Sequence, residues 1–172
     1  MKEQAPLGKL YRLDKNLTLH QLEENIHISN GMGWSLDNQT FFYIDTLTHC
    51  VAAYDYDLIT GNIANKRTFI QFSSNEYPDG MTIDSEGGFW IAFWGAAKIG
   101  HFDAGGKRIA DIPVPALQPT SCCFGGSDMT TLFITSAKRG LSKKQMQELP
   151  LNGRLFMLET NVKGREEPRF AG

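Results

Sequence analysis

Apolar and polar positions alternate along this chain with a period of two, in short runs broken every few residues by Gly, Asn or Asp. That is the pattern of half-buried strands, not of helices. Residues 9–13 (KLYRL) and 17–22 (LTLHQL) predict a strand pair around the turn Asp14-Lys15-Asn16. Residues 32–36 and 41–45 alternate around Asp37-Asn38, and 51–56 and 63–72 follow across a loop at 57–61, making four strands. The order then recurs at 81–84, 89–93, 98–102 and 107–112, punctuated by Glu86-Gly87-Gly88 and Ala104-Gly105-Gly106. Residues 122–124, 132–135 and 154–159 add three more. Helix is expected only in LSKKQMQEL, where Ser142 and Gln145 have capping-box spacing and Pro150 ends the segment. The closing VKGREEPRFAG shows little periodicity.

A motif recurs on top of this pattern. NGMGWSLDNQTFFYID begins at Asn30, DGMTIDSEGGFWIAF at Asp79, and a degenerate copy, TSCCFGGSDMTTLFIT, at Thr120. Four short strands per unit of 40 to 50 residues and no long helix predict propeller blades around an axis. The strand tally is half a blade, two whole blades and most of another, so the chain reads as a single all-β propeller segment over residues 1–172. The ring would be open, leaving blade edges with unpaired backbone groups that invite self-association.

Composition narrows the function classes. The 172 residues are 41% hydrophobic and 11% aromatic, enough for a real core. A net charge of -2 offers no positive field, and no basic cluster exceeds Lys143-Lys144, so nucleic acid is not expected as a partner. No apolar run approaches a membrane span or a signal peptide, and membrane partners are not expected either. Cys50, Cys122 and Cys123 form an odd set without CxxC spacing, which reads as reduced thiols in the cytoplasm. No GxSxG elbow is present, and GMGWSL lacks the third glycine of a dinucleotide loop.

Several segments in register carry a family resemblance: ISNGMGWSLDNQTFFYIDT, AAYDYDLITGNIANKR, YPDGMTIDSEGGFWIAFWG and PTSCCFGGSDMTTLFITSA. From about Gly8 onward the chain resembles the carboxy-terminal half of the senescence marker protein, regucalcin and gluconolactonase family. The resemblance implies a six-bladed propeller of which about three and a half blades are encoded here, the amino-terminal blades being absent. It implies one divalent cation on the axis, most often Ca²⁺, with Zn²⁺, Mn²⁺ or Mg²⁺ as the other choices, and hydrolysis of a small sugar lactone. It further implies that the SNG asparagine, Asn30, and the PDG aspartate, Asp79, are metal ligands, and that Asp79 is also the general acid/base. The family's third ligand, a first-blade Glu, and its substrate-binding RxNDG segment have no counterpart in this sequence. A non-catalytic calcium-binding role, or an inactive fragment requiring a complementary half, therefore stand as alternatives to the lactonase.

The residue chemistry is compatible with that expectation. An amide oxygen and a carboxylate are hard donors suited to Ca²⁺ or Mg²⁺, and a cation beside Asp79 would hold it ionised and able to take a proton from water. Taken singly, Asn-Gly and Asp-Gly are turn dipeptides; their placement at equivalent blade positions is what marks them out. Asp45, Asp84 and Asp103 read as strand-end turn caps. His20, His27, His49 and His101 show no ligand-pair spacing, and Trp34, Trp90 and Trp94 read as packing residues in or beside inner strands, with Trp94 able to line a substrate mouth.

Overall fold

The computed structural model describes residues 5–170. Among these residues, thirteen strands form four antiparallel sheets. The first pairs β1 (Gly8–Leu13) with β2 (Leu19–Ile26). The second runs in order through β3 (Ser29–Trp34), β4 (Thr40–Asp45), β5 (Cys50–Tyr56) and β6 (Ile63–Gln71). The third does the same with β7 (Tyr77–Ile83), β8 (Phe89–Trp94), β9 (Lys98–Phe102) and β10 (Arg108–Pro113). The fourth holds β11 (Gln118–Gly125), β12 (Thr131–Ala137) and β13 (Phe156–Glu159). Between the last two strands lies one short helix, α1 (Lys143–Glu148), with the reciprocal cap its sequence predicts: Gln145 N–H donates to Ser142 Oγ at 3.2 Å and Ser142 N–H to Gln145 Oε1 at 2.9 Å.

The second and third sheets bury both faces, because each has a sheet on either side, while the first and fourth each pack against one neighbour. Three apolar layers result. Leu10, Ile26, Phe41, Tyr43 and Tyr54 fill the first interface. Phe42, Ile44, Val51, Met81, Phe89, Ile91 and Phe93 fill the second, where Phe42 and Phe72 meet Phe89 and Phe93 edge-on with centroids 4.8 and 5.1 Å apart. Trp90, Ile99, Cys122, Leu132 and Ile134 fill the third. This explains why β4, β5 and β8 read as nearly continuous apolar runs rather than as a strict alternation. The leading strands meet one another, β3 against β7 and β7 against β11.

The inner strands are longer at their amino ends than periodicity alone predicts. β3 starts at Ser29 rather than at residue 32, β7 at Tyr77 rather than 81, and β11 at Gln118 rather than 122. In each, the pairing register slips: between Ser29 and Met32, between Pro78 and Met81, and between Pro119 and Ser121. These are β-bulges, not turns. Neither Asn30 nor Asp79 adopts a positive φ. Trp34 lies on the inner strand β3, and Trp90 and Trp94 lie on β8 beside the inner strand β7, as the sequence predicts.

The aperiodic tail is a strap. Thr160 N–H donates to Thr130 O, Gly164 N–H to Met129 O, Ser85 N–H to Lys163 O, and Asp84 and Gly164 form an isolated bridge. Arg165 continues to the second sheet, donating to the carbonyls of Trp34 and Ser35 at 3.4 and 3.2 Å and to Asn38 Oδ1 at 3.3 Å. One segment thus joins three sheets. Replacing Arg165 by Ala is expected to lower unfolding stability by about 1–2 kcal/mol, read as a lower urea midpoint with an unchanged m-value.

Candidate functional site

The two residues singled out in the sequence sit on adjacent inner strands. Asn30 is on the bulge of β3 and Asp79 on the bulge of β7. A bulge re-aims a side chain out of the ladder, so the amide and the carboxylate leave their sheets at matching positions. The glycines that follow them exist for closeness. A Cβ on Gly31 would stand 2.8 Å from Met81 N and 2.9 Å from Asp79 O, and one on Gly80 would stand 2.8 Å from Ser121 Cα. Backbone lies against backbone here, which only glycine permits.

Hydrogen bonds join the two strands. Asn30 Nδ2 donates to Thr46 Oγ1 at 2.8 Å, and the Thr46 hydroxyl donates to Pro78 O at 2.7 Å. Thr46 opens a 3-10 turn (Thr46–Thr48) after β4 and is 1% exposed. Asp79 is itself largely sheltered. Desolvation pushes its carboxyl up to about 6, against the opposing pull of the Gly80 N–H and the Asn30 amide. Without a cation the group therefore holds its proton far longer than an ordinary aspartate. The depressed value expected beside a metal ion would need the ion itself.

The donor chemistry fits a hard divalent cation: a carboxylate desolvated without a countercharge, next to a side-chain amide. The donor number fits only in part. Among the described residues, no three His, Cys, Asp or Glu side chains gather where they could hold a metal ion. Ca²⁺ usually takes six to eight oxygens, so Asn30 and Asp79 could supply a minority of its shell.

The other polar candidates are structural. Asp45 accepts from the His27 and Ile28 N–H groups at 2.9 Å each and lies 3.0 Å from His27 Nδ1. Asp84 accepts from Glu86 N, Gly88 N and Trp90 Nε1 at 2.9, 2.7 and 2.9 Å. Asp103 accepts from Gly105 N and Lys107 N at 3.0 and 2.9 Å. Asp84 and Asp103 cap the turns that follow their strands, as their positions predict, whereas Asp45 makes no cap bond to its own turn and instead ties down the connection between β2 and β3. Removing the Asp84 carboxylate would strand a buried indole N–H and two backbone donors, so Asp84→Ala should cost roughly 3 kcal/mol in a denaturant titration. The histidines are likewise engaged: His20 with Asp14, His49 with Glu76 O, and His101 stacked on Trp90 at 4.0 Å. Thr46 was not visible in the sequence as part of the site, although it directly follows the strand that pairs with the Asn30 strand.

An all-β chain of sheets packed face to face, with Asn and Asp on matching inner-strand bulges, is the class of protein defined by this geometry. The family model described as SMP-30/Gluconolactonase/LRE-like region matches residues 1–138, and the chain belongs to that family. It is 40% identical to regucalcin of Gallus gallus over 168 residues, which is 96% of this chain and 56% of that protein. It is similar to the crystal structure of a calcium-binding protein, regucalcin, from Agrobacterium tumefaciens, with 30% identity and a TM-score of 0.92 over 97% of this chain and 57% of that one. A gluconolactonase from Xanthomonas campestris matches with 25% identity and a TM-score of 0.67 over 88% of this chain and 44% of that one. The chain spans little more than half the length of the curated relatives it matches. Among the described residues, no helix is long and apolar enough to cross a membrane.

Proposed function

We propose that this chain carries part of the centre of a divalent-cation-dependent sugar-lactone hydrolase. The observation that carries the reading is the desolvated Asp79 carboxylate beside the Asn30 amide on paired bulges. In this reading the four sheets are about three and a half blades of a six-bladed propeller, and residues outside this sequence complete the ligand set and bind the sugar. Asn30 Oδ1 and the Asp79 carboxylate hold the cation, with Ca²⁺ the first choice and Zn²⁺, Mn²⁺ or Mg²⁺ the others. Such a cation polarises a lactone carbonyl and acidifies water when bound. Asp79 takes a proton from the attacking water and returns it to the ring oxygen as the ester opens, the ordinary duty of a general acid/base. The reading has the protein acting in the cytoplasm, consistent with three free thiols.

A second reading is a calcium-binding protein without catalysis, favoured by the lack of a third acidic ligand among the described residues. The open edges of β1 and β13, which have no further strand among the described residues, suit association with a complementary half or a second copy. Calorimetric titration with CaCl₂, followed by gluconolactone opening with Ca²⁺, Zn²⁺, Mn²⁺ or Mg²⁺ present, separates these. Heat with turnover supports the hydrolase. Heat without turnover selects the binding protein, and a folded chain showing neither selects a part that needs its complementary half.

A further inference from the structure

We infer that Thr120 is a specificity-determining residue: its hydroxyl, paired with that of Thr135, receives a hydroxyl group of the substrate. The inference rests on the sugar-lactone reading above and adds one contact from this chain to those made by residues outside it. Three leading strands carry a bulge at the same place. In β3 the slip takes in Asn30 and Gly31, in β7 Asp79 and Gly80, and in β11 it falls at Thr120, between Pro119 and Ser121. Thr120, which opens the third copy of the recurring motif, therefore stands to β11 as Asn30 does to β3 and Asp79 to β7, its side chain re-aimed out of the ladder. The strands also touch there. A Cβ on Gly80 would stand 2.8 Å from Ser121 Cα, so the residue after Asp79 lies backbone to backbone against the residue after Thr120. Asn30, Asp79 and Thr120 thus follow one another across three adjacent strands.

The two hydroxyls together suit a partner that is itself a hydroxyl. Thr120 Oγ1 and Thr135 Oγ1 stand 2.7 Å apart, a contact that uses one hydroxyl proton and leaves the other. When Thr135 directs its proton to Ser121 O at 3.4 Å, Thr120 donates to Thr135 and keeps its lone pairs open to a donor. When Thr135 donates to Thr120 instead, the Thr120 proton is free for an acceptor. Only one long bond is exchanged between the two states. A sugar hydroxyl, which both donates and accepts, pairs with either arrangement, whereas the methylene of an unsubstituted lactone pairs with neither. Thr120 is half-buried and Thr135 exposed, so a ligand can reach both. An uncharged hydrogen bond in such a place contributes roughly 3- to 10-fold to recognition.

The test measures opening of D-glucono-δ-lactone and of δ-valerolactone, the same ester ring without hydroxyls, by the parent chain, Thr120→Val and Thr120→Ser, with the cations named above present. A second readout follows the ¹⁵N–¹H backbone signals of Thr120 and Thr135 on addition of D-gluconate or hexanoate, equal carbon chains with and without hydroxyls. In Thr120→Val the ratio of kcat/KM between the two lactones should fall roughly 3- to 10-fold, through a higher KM for gluconolactone, and Thr120→Ser should keep the parental ratio. Gluconate should move both signals in the parent and Thr120→Ser chains, and hexanoate should not. Equal losses on both lactones in Thr120→Val would mean a structural role only and overturn the inference, as would an unchanged ratio. A parent whose Thr120 and Thr135 signals ignore gluconate overturns it whatever the turnover, and this measurement decides alone if Thr120→Val does not fold. A parent that opens no lactone while gluconate moves those signals keeps the hydroxyl contact and removes the hydrolase reading instead.

Discussion

In EDTA at pH 7.5, the Asp79→Asn variant is expected to be more stable than the parent chain, and at pH 4 the two should be alike. Burial raises the folded-state pKa of Asp79 from an ordinary 3.8 to about 6. The folded chain thus binds the Asp79 proton more tightly than the unfolded chain does. Linkage then makes the contribution full below about pH 4 and lost as pH rises through about 6. An unscreened shift of this size corresponds to ~3 kcal/mol. Solvent reaches part of the carboxylate, so a difference on the order of 1–2 kcal/mol at pH 7.5 is the expected outcome.

Calcium should reverse the order. A cation that needs the ionised carboxylate stabilises the parent and not the variant, and the parent's gain in melting temperature should grow from pH 5 to 7 and then level off. Lactone opening by the loaded parent, where measured, should fall by ~10²- to 10⁴-fold in Asp79→Asn. A variant less stable than the parent at pH 7.5 without metal would mean that the carboxylate is a stabilising contact, and would remove the basis for assigning it to an ion.

The second large effect concerns Gly31. Replacing it with Val would drive a branched side chain into the β7 backbone, where even a Cβ would lie 2.8 Å from Met81 N. No rotamer relieves a clash made by the Cβ itself, so β3 and β7 must separate, opening the layer built on Phe42, Met81 and Phe89. Overpacking of this kind costs ~3 kcal/mol or more. Gly31→Val should therefore melt far below the parent and show no Ca²⁺ uptake. A variant with a parental urea midpoint would show that β3 and β7 are not tightly apposed, and would undermine any site placed between them.

Much of the architecture was legible from alternation. The meanders 41–56 and 89–102 carry strongly apolar runs bounded by Asp-Asn, Glu-Gly-Gly and Ala-Gly-Gly turns, and those strands fall where the pattern puts them. The starts of β3, β7 and β11 lie earlier than alternation predicts for one shared reason. Asn-Gly, Pro-Asp-Gly and Pro-Thr are local signals for breaking a strand, yet here the strand runs on through a bulge because the neighbouring sheet holds its backbone. The site was half legible. Repetition marked Asn30 and Asp79, but nothing in local sequence distinguishes Thr46 from Thr48, since the role of its hydroxyl depends on a carbonyl 32 residues away. The strap 160–165 was hidden likewise, its contacts being single backbone bonds made by a segment with no periodicity.

That strap bears on the order in which the molecule can be assembled. Arg165 fastens to carbonyls about 130 positions earlier, so the whole stretch from β3 to the strap must leave the ribosome before the second, third and fourth sheets can be laced together. Until then the meanders can form and pack through their apolar layers but lack the bonds of the strap, a late-closing sequence that leaves nascent chains more open to proteases and to mispairing.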